Sequence, residues 1–186
     1  TSLRLKGKEM IYNREGFVLN WYRSINNDKR NYQETTYGLQ PDKAVTWQIG
    51  EAGKCVTITT PMLAHIGKRT QQPYEITFTV YANGTVDVDA SFVTGERFNL
   101  PRLGLTVMLN PSLEQVLWYG RGPNENSVDR KNAAYFGLYG NTVTGMEEAY
   151  VAPQTRGTRS DIRGAAFPEH AYSPAGIMVL LHVRPA

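Results

Sequence analysis

The hydrophobic pattern along this chain is that of a β protein. Short segments rich in β-branched and aromatic residues alternate with glycine and proline, and no apolar stripe of helical period continues for a dozen residues. The segments predicted as strands include residues 17–21, 44–49, 55–59 and 176–183. The best helical candidate is short, at residues 130–138, with Asp129 as its N-cap. We therefore predict an all-β domain of antiparallel strands with one short helix.

One hairpin can be predicted in detail. Residues 74–81 and 85–93 flank the turn sequence Ala-Asn-Gly, and a two-residue loop would place Asp87 opposite Val80, on the apolar face. A three-residue loop makes one face apolar and the other polar, with Tyr81 opposite Thr85, Val80 opposite Val86, Phe78 opposite Val88 and Ile76 opposite Ala90. A slip of one residue would invert the strand, so we predict the three-residue loop, with Gly84 left-handed.

Composition and charge exclude several classes of protein. A chain of 186 residues fits one domain and buries roughly 70% of its unfolded surface. With 41% hydrophobic and 20% charged residues it is not disordered, and a net charge of +3 is too small to indicate nucleic acid. It has no apolar stretch near the roughly 20 residues that a membrane helix needs. The single Cys55 forms no internal disulfide, is expected to fill space in the core, and does not identify the redox compartment.

Two polar segments carry the candidate chemistry, residues 21–30 and 118–130. Each follows a predicted strand that ends in two aromatic residues, and each gathers arginine, asparagine and carboxylate side chains, a set that sugar sites use for hydroxyl groups. The candidate substrate-binding residues are Arg23, Asn27, Asp28, Arg121, Asn124, Glu125, Asn126, Asp129 and Arg130. The alternative is that these residues build tight turns in which arginine pairs locally with carboxylates.

Other catalytic patterns are weak. His65, His170 and His182 lack the spacing of a zinc site. Glu147 and Glu148 are adjacent, so on a strand they would point to opposite faces, whereas a retaining glycosidase needs two carboxyl groups roughly 5 Å apart. There is no nucleophile elbow, phosphate loop or dinucleotide fingerprint. The residues alone thus predict a β domain with two polar loops and no assigned catalytic residue.

The order of several sequence blocks resembles the C-terminal domain of bacterial β-galactosidases of glycoside hydrolase family 2. The most specific block is Gly-Arg-Gly-Pro-Asn-Glu-Asn at 120–126, and supporting blocks lie at 19–28, 100–105, 129–130, 150–154 and 159–163. This resemblance implies one domain over residues 1–186, an antiparallel β supersandwich similar to galactose mutarotase. The chain starts at Thr1 and stops soon after a predicted strand, so we expect a fragment of a larger multidomain hydrolase, truncated at its C-terminal end.

The resemblance also implies that catalysis and the shaping of the active site belong to different domains. In this family the catalytic glutamates lie in a preceding barrel domain, while the C-terminal domain closes one side of the active site and contributes to subunit assembly. We therefore expect no hydrolysis by these residues alone, and no cofactor within them, with Mg²⁺ or Na⁺ as candidates for the parent enzyme. Expected partners are the other parent domains, especially the catalytic barrel, β-galactoside sugars and a second copy in a homo-oligomer, but neither nucleic acid nor membrane. The bacterial cytoplasm and periplasm both stay open.

Three departures from the family pattern are visible, at Ser127, at 155–156 and at Gly164, where the family carries tyrosine, Glu-Asn and an aromatic residue. Two other functions stay open, a free-standing carbohydrate-binding or mutarotase-like module and a purely architectural domain. The polar residues of 121–130 likewise have two candidate roles. Either they face the domain interface or the rim of the sugar site, or they hold one rigid loop through arginine–carboxylate pairs, which we favour.

Overall fold

The structure is a computed structural model that describes residues 2–21, 38–66, 70–92, 102–151, 155–170, 173 and 175–181. Within those ranges the regular elements are antiparallel β-strands and short 3-10 turns, without an α-helix. The strands are β1 (Arg4–Leu5), β2 (Lys8–Glu9), β3 (Val18–Asn20), β4 (Gly38–Pro41), β5 (Thr46–Ile49), β6 (Cys55–Ile66), β7 (Thr70–Tyr81), β8 (Val86–Phe92), β9 (Gly104–Thr106), β10 (Gln115–Gly122), β11 (Tyr135–Thr142), β12 (Gly164–Pro168) and β13 (Gly176–Leu180). This confirms the predicted all-β class, and such antiparallel sheets are consistent with a β-sandwich. Among the described residues no helix is long and apolar enough to cross a membrane.

The chain divides into two compact units. The described residues of the first lie in 2–18 and from 106 onwards, and those of the second lie in 19–21 and from 38 to 105. The second unit holds a five-stranded sheet in the order β4-β6-β7-β8, with β5 also paired to β6. Its core is a cluster of five buried residues, Leu19, Trp21, Ala64, Tyr74 and Ile76.

The predicted hairpin register is confirmed. The strands β7 and β8 pair Val80 with Val86, and Phe78 with Val88. Gly84 closes the turn with a φ of +88°, in the left-handed region that glycine occupies without steric cost. The alternation of apolar and polar residues therefore excluded the two-residue loop, because that pairing would put carboxylates on the apolar face.

The first unit contains the sheet that positions the candidate site. Its strand order is β11-β10-β12-β13, and β10 pairs on both sides. Along β10 buried residues alternate with exposed ones, so that Val116 and Trp118 face inward whereas Leu117 and Tyr119 face outward. This period of two is expected for a strand whose sheet has one covered face.

The predicted helix at residues 130–138 is wrong. Residues 135–142 form strand β11, which pairs with β10 from Tyr135, opposite Gly122, to Thr142, opposite Gln115. Only a turn lies before the strand, and the Ala134 N–H closes it by donating to the Lys131 carbonyl at 3.0 Å. Eight residues of continuous strand pairing outweigh the weak helical preference of this segment, because propensity is a small term beside tertiary contacts.

Candidate functional site

The candidate site begins at the end of β10. The paired aromatics Trp118 and Tyr119 do not end the strand, as the sequence had suggested, because β10 continues through Arg121 to Gly122. Residues 123–134, here called the polar loop, then lead to β11. The Cβ of any other residue at position 120 would lie 2.8 Å from the backbone Cα of Ile162, so the close approach requires glycine. The Gly-x-Gly part of the specific block thus has a packing reason.

Asn126 anchors the polar loop from inside. Its side chain is fully buried, with a relative exposure of 0%. Its Nδ2 donates to the carbonyl of Asn124 at 2.9 Å and to that of Arg121 at 3.4 Å. Its Oδ1 accepts from the Ser160 N–H at 2.9 Å and from the Ser160 hydroxyl at 2.5 Å. A buried amide with both ends satisfied in this way fixes one loop conformation, because any other would leave polar atoms unpaired.

Glu125 anchors the loop from the side that faces residues 150–157. Its side chain is only 8% exposed. Oε1 accepts from Arg130 Nη2 at 2.6 Å and from the Tyr150 hydroxyl at 2.5 Å, and Oε2 accepts from the Gly157 N–H at 2.6 Å. Burial alone would raise the pKa of Glu125, but the hydrogen bonds from Tyr150, Gly157 and Arg130 together outweigh it and lower the pKa. Glu125 is therefore held as a carboxylate.

A third anchor joins Arg121 to Asp161. Arg121 Nε donates to Asp161 Oδ2 at 2.6 Å, and Arg121 Nη1 donates to the carbonyl of Ala134 at 2.9 Å. Lys131 Nζ reaches both carboxylate oxygens of Asp161 at 2.9 Å. The hydrogen bond from Arg121, followed by that from Lys131, lowers the pKa of Asp161. Arg121, which precedes the polar loop, and Lys131, which lies within it, are thus tied to one carboxylate.

The remaining predicted residues differ in their surroundings. Asn124 and Arg130 are exposed, and Arg130 keeps 59% of its side-chain surface although it pairs with Glu125. Asp129 Oδ1 accepts from the hydroxyl of Ser127 at 2.5 Å, so Ser127 is used within the loop. Six of the nine predicted residues therefore lie at the end of β10 and in the polar loop. Arg23, Asn27 and Asp28 lie outside the described residues.

Sequence reasoning did not select the residues that receive this loop. Tyr150, Gly157, Ser160 and Asp161 supply its hydrogen-bonding partners from a segment 25 to 40 positions away in the chain. The available signal was the co-occurrence of the blocks at 150–154 and 159–163 with the block at 120–126. The co-occurrence of these blocks indicates which segments contact each other, but it does not indicate which atoms form the hydrogen bonds.

A cavity of about 500 Å³ opens on the inward side of β10. Its lining is mainly apolar: Val116, Trp118, Val143, Met146, Glu147, Arg156, Gly157, Arg159, Ile162, Ala165 and Phe167.

The Arg159 guanidinium lies over the Trp118 ring, 5.2 Å from its centroid, and Arg159 Nε is buried without a hydrogen-bond partner among the described residues. Burial lowers the pKa of Arg159, and the charges of Glu125 and Glu148 oppose that effect. Arg156 and Glu147 form an ion pair at 2.5 Å.

The other candidate groups form no metal site in the described part of the chain, where no three His, Cys, Asp or Glu side chains lie close enough to hold an ion. Cys55 is half-buried at the start of β6, and His65 lies in the same strand. Glu147 and Glu148 follow a 3-10 turn rather than lying on a strand. His182 lies outside the described residues.

Comparison with known proteins decides the family. The family model for the β-galactosidase small chain matches residues 1–183. The chain belongs to the β-galactosidase small-chain family. It is 31% identical over 175 residues to a β-galactosidase of Kluyveromyces lactis, which covers 86% of this chain and 16% of that protein. It is 29% identical over 171 residues to a β-galactosidase of Halalkalibacterium halodurans, with 87% and 17% covered. A Priestia megaterium β-galactosidase is 33% identical over 91 residues, which is 48% of this chain and 9% of that protein.

The resemblance stated from the sequence blocks is therefore confirmed at the level of this β-galactosidase family. The chain spans about a sixth of the length of the first two relatives. The block at 120–126, which carried most of the resemblance, coincides with the end of β10 and the best-anchored part of the polar loop.

Proposed function

We propose that this chain is a noncatalytic domain of a β-galactosidase, which helps to shape the sugar-binding site and to assemble the enzyme while the remaining polypeptide hydrolyses terminal β-galactosides. The observation that carries the proposal is the family match over nearly the whole chain, combined with coverage of only about a sixth of the β-galactosidases that it resembles. Most of such an enzyme, including its catalytic groups, would then lie in the other five sixths.

The carboxylates of the candidate site support a noncatalytic role. A glycosidase needs one carboxylic acid with a raised pKa that can donate a proton to the leaving group. Glu125 has a lowered pKa and gives both oxygens to three donors. Asp161 is likewise held as a carboxylate, by Arg121 and Lys131. Both groups are built as anchors, and neither is suited to general acid catalysis.

The polar loop is suited to form one side of a sugar-binding site whose other groups lie in the remaining polypeptide. Its base is fixed by Asn126 and Glu125, so its conformation does not depend on a bound sugar. Its outward side presents Asn124, Val128 and Arg130, of which Val128 is 86% exposed. An amide, an isopropyl group and a guanidinium on a rigid backbone can contact a sugar or a neighbouring domain without the cost of ordering the loop itself.

A metal requirement belongs, in this proposal, to the remaining polypeptide. Glu125 and Asp161 do not suit Mg²⁺ or Na⁺ as ligands, because their oxygens already accept hydrogen bonds from arginine, lysine, tyrosine and backbone donors.

The proposal can be tested on the chain alone. We expect no turnover of 2-nitrophenyl β-galactoside above a boiled control, and turnover that co-purifies with the folded chain would overturn the noncatalytic role. An amide NMR titration with galactose then separates two roles within the proposal. Saturable shifts in residues 121–130 that weaken in Asn124→Ala, which removes an exposed amide with little effect on stability, would indicate a rim that contacts sugar. Unshifted peaks would indicate a scaffold for the adjoining polypeptide.

A further inference from the structure

The outward face of the four-stranded sheet is apolar. Six large apolar side chains on it are between 46% and 76% exposed: Leu117, Tyr119, Phe136, Leu138, Met178 and Leu180. We call this set the outer face. It draws on β10, β11 and β13, and β12 lies between β10 and β13.

The strand registers place these side chains on one side of the sheet. Tyr119 lies opposite Leu138 on β11 and opposite Gly164 on β12, and Gly164 lies opposite Leu180 on β13. Residues directly opposite each other in antiparallel strands point to the same face. The rings of Tyr119 and Phe136 meet edge to face, with centroids 4.8 Å apart. The outer face is therefore one continuous surface rather than scattered exposed residues.

The exposed side of the β7–β8 hairpin, in the other sheet, is polar rather than apolar. On the exposed side of the β7–β8 hairpin, Thr77 lies opposite Asp89 and Thr79 lies opposite Asp87. In the strand registers the apolar side chains of the outer face lie opposite one another or opposite Gly140, Gly164, Ala166 and Arg121, of which only Arg121 is charged. The Arg121 guanidinium is already bound to Asp161 and to a carbonyl. The outer face, with apolar residues on three strands, thus differs from the polar exposed side of the β7–β8 hairpin.

The extent of the outer face is that of an interface. Two of the six side chains are aromatic, and the set at about half to three-quarters exposure presents on the order of 600 Å². The largest apolar patch on a typical single chain is about 300–600 Å² and is often functional. A stable interface buries about 800 Å² per partner, so the outer face would supply most of one. Interfaces between permanently associated chains are also the more apolar ones.

We propose that the outer face is the surface by which this domain docks onto the remaining polypeptide of a β-galactosidase, an inference that rests on the proposed function. The chain accounts for 16% and 17% of two β-galactosidases that it matches over most of its length, so a much larger polypeptide is available as the occupant. Strand β10 carries both Tyr119 on the outer face and Arg121 at the base of the polar loop. Docking through this face therefore positions the polar loop relative to the remaining polypeptide.

The test is an association measurement between two separately expressed chains. Residues 1–186 are titrated against the remaining polypeptide of the same β-galactosidase, and the dissociation constant is measured by sedimentation or interferometry. We expect wild type to bind, and both Leu138→Lys and Met178→Lys to weaken binding at least tenfold. Both side chains are largely exposed, so the thermal midpoint of the isolated chain should stay unchanged.

Two controls make the result specific. Leu138→Met keeps the apolar surface and should bind within twofold of wild type, and Ser91→Lys adds the same charge at an exposed position of β8, in the other sheet, and should have no effect. Wild-type binding that survives Leu138→Lys and Met178→Lys overturns the docking surface and leaves the proposed function standing. Absence of wild-type binding overturns both. A wild-type dimer of this chain that Leu138→Lys dissociates, without binding to the remaining polypeptide, assigns the face to a second copy and also overturns the inference.

Discussion

Asn126 Oδ1 accepts two hydrogen bonds from Ser160, one from its N–H at 2.9 Å and one from its hydroxyl at 2.5 Å. The two residues are 34 positions apart in the chain, and their contact joins the polar loop to the segment that precedes β12. Because Asn126 is fully buried, its side chain can only be replaced at the cost of unpaired polar atoms.

Substitution of Asn126 should destabilise the fold. In Asn126→Ala the Ser160 N–H and the carbonyl of Asn124 lose their partner, so we expect a loss of about 2–4 kcal/mol in the free energy of unfolding, measured with urea. Asn124→Ala is the matched control, because the Asn124 side chain is exposed and should cost less than about 0.5 kcal/mol. Equal losses in the two variants would contradict the anchoring role of Asn126.

The contribution of Glu125 should depend on pH. Its pKa is lowered in the folded chain, so its stabilisation is present above the unfolded pKa of about 4.3 and is lost as the pH falls through the folded value. At pH 7 we expect Glu125→Gln to cost about 1–3 kcal/mol, because the hydrogen bonds from Arg130, Tyr150 and Gly157 are strengthened by the negative charge.

The difference in unfolding free energy between wild type and Glu125→Gln should then shrink below about pH 4. Among the described residues, three other carboxylates also have lowered pKa values because of hydrogen bonds that they accept: Glu9, Glu114 and Asp161. For that reason the difference between the two proteins, rather than the wild-type curve, isolates Glu125. A difference that stays constant from about pH 7 to about pH 3 would count against its role as a charged anchor.

Gly120 should not tolerate a side chain. In Gly120→Ala the new Cβ would lie 2.8 Å from Ile162 Cα and 3.0 Å from the Asp161 carbonyl oxygen, and backbone atoms cannot move aside easily. We expect a loss of about 1–3 kcal/mol, seen as a lower thermal midpoint. Gly104→Ala in β9 is the control, since nothing lies within 4 Å of the position that its new Cβ would take, and its midpoint should change little. A similar midpoint for both variants would contradict the close packing of β10 against residues 161–162.

The sequence predicted well what depends on local alternation. The β7–β8 register followed from Val80 and Phe78, because the wrong pairing would have put Asp87 and Asp89 on the apolar face. The failure at residues 130–138 has the opposite cause. The strand there exists because β10 offers a partner along all eight residues of β11, and such a long-range contact leaves little trace in local propensity.

The candidate site was predicted only in part for the same reason. Arginine–carboxylate pairing within the loop was expected, and Arg130 does pair with Glu125. The partner of Arg121, however, is Asp161, which lies 40 residues away. The burial of Asn126 was equally hidden, because it depends on Ser160 arriving from a distant segment. The type of one residue in a long-range contact does not identify the position of its partner in the sequence.

The central claim, that this chain is a noncatalytic β-galactosidase domain, is tested most directly by complementation. The remaining polypeptide of the enzyme is expressed without residues 1–186, and its hydrolysis of 2-nitrophenyl β-galactoside is measured while this chain is titrated in. The account predicts little activity for either part alone and a saturable rise when they are mixed, reduced by Asn126→Ala. Hydrolysis by this chain alone, or a rate that stays the same at every concentration of added chain, would contradict it.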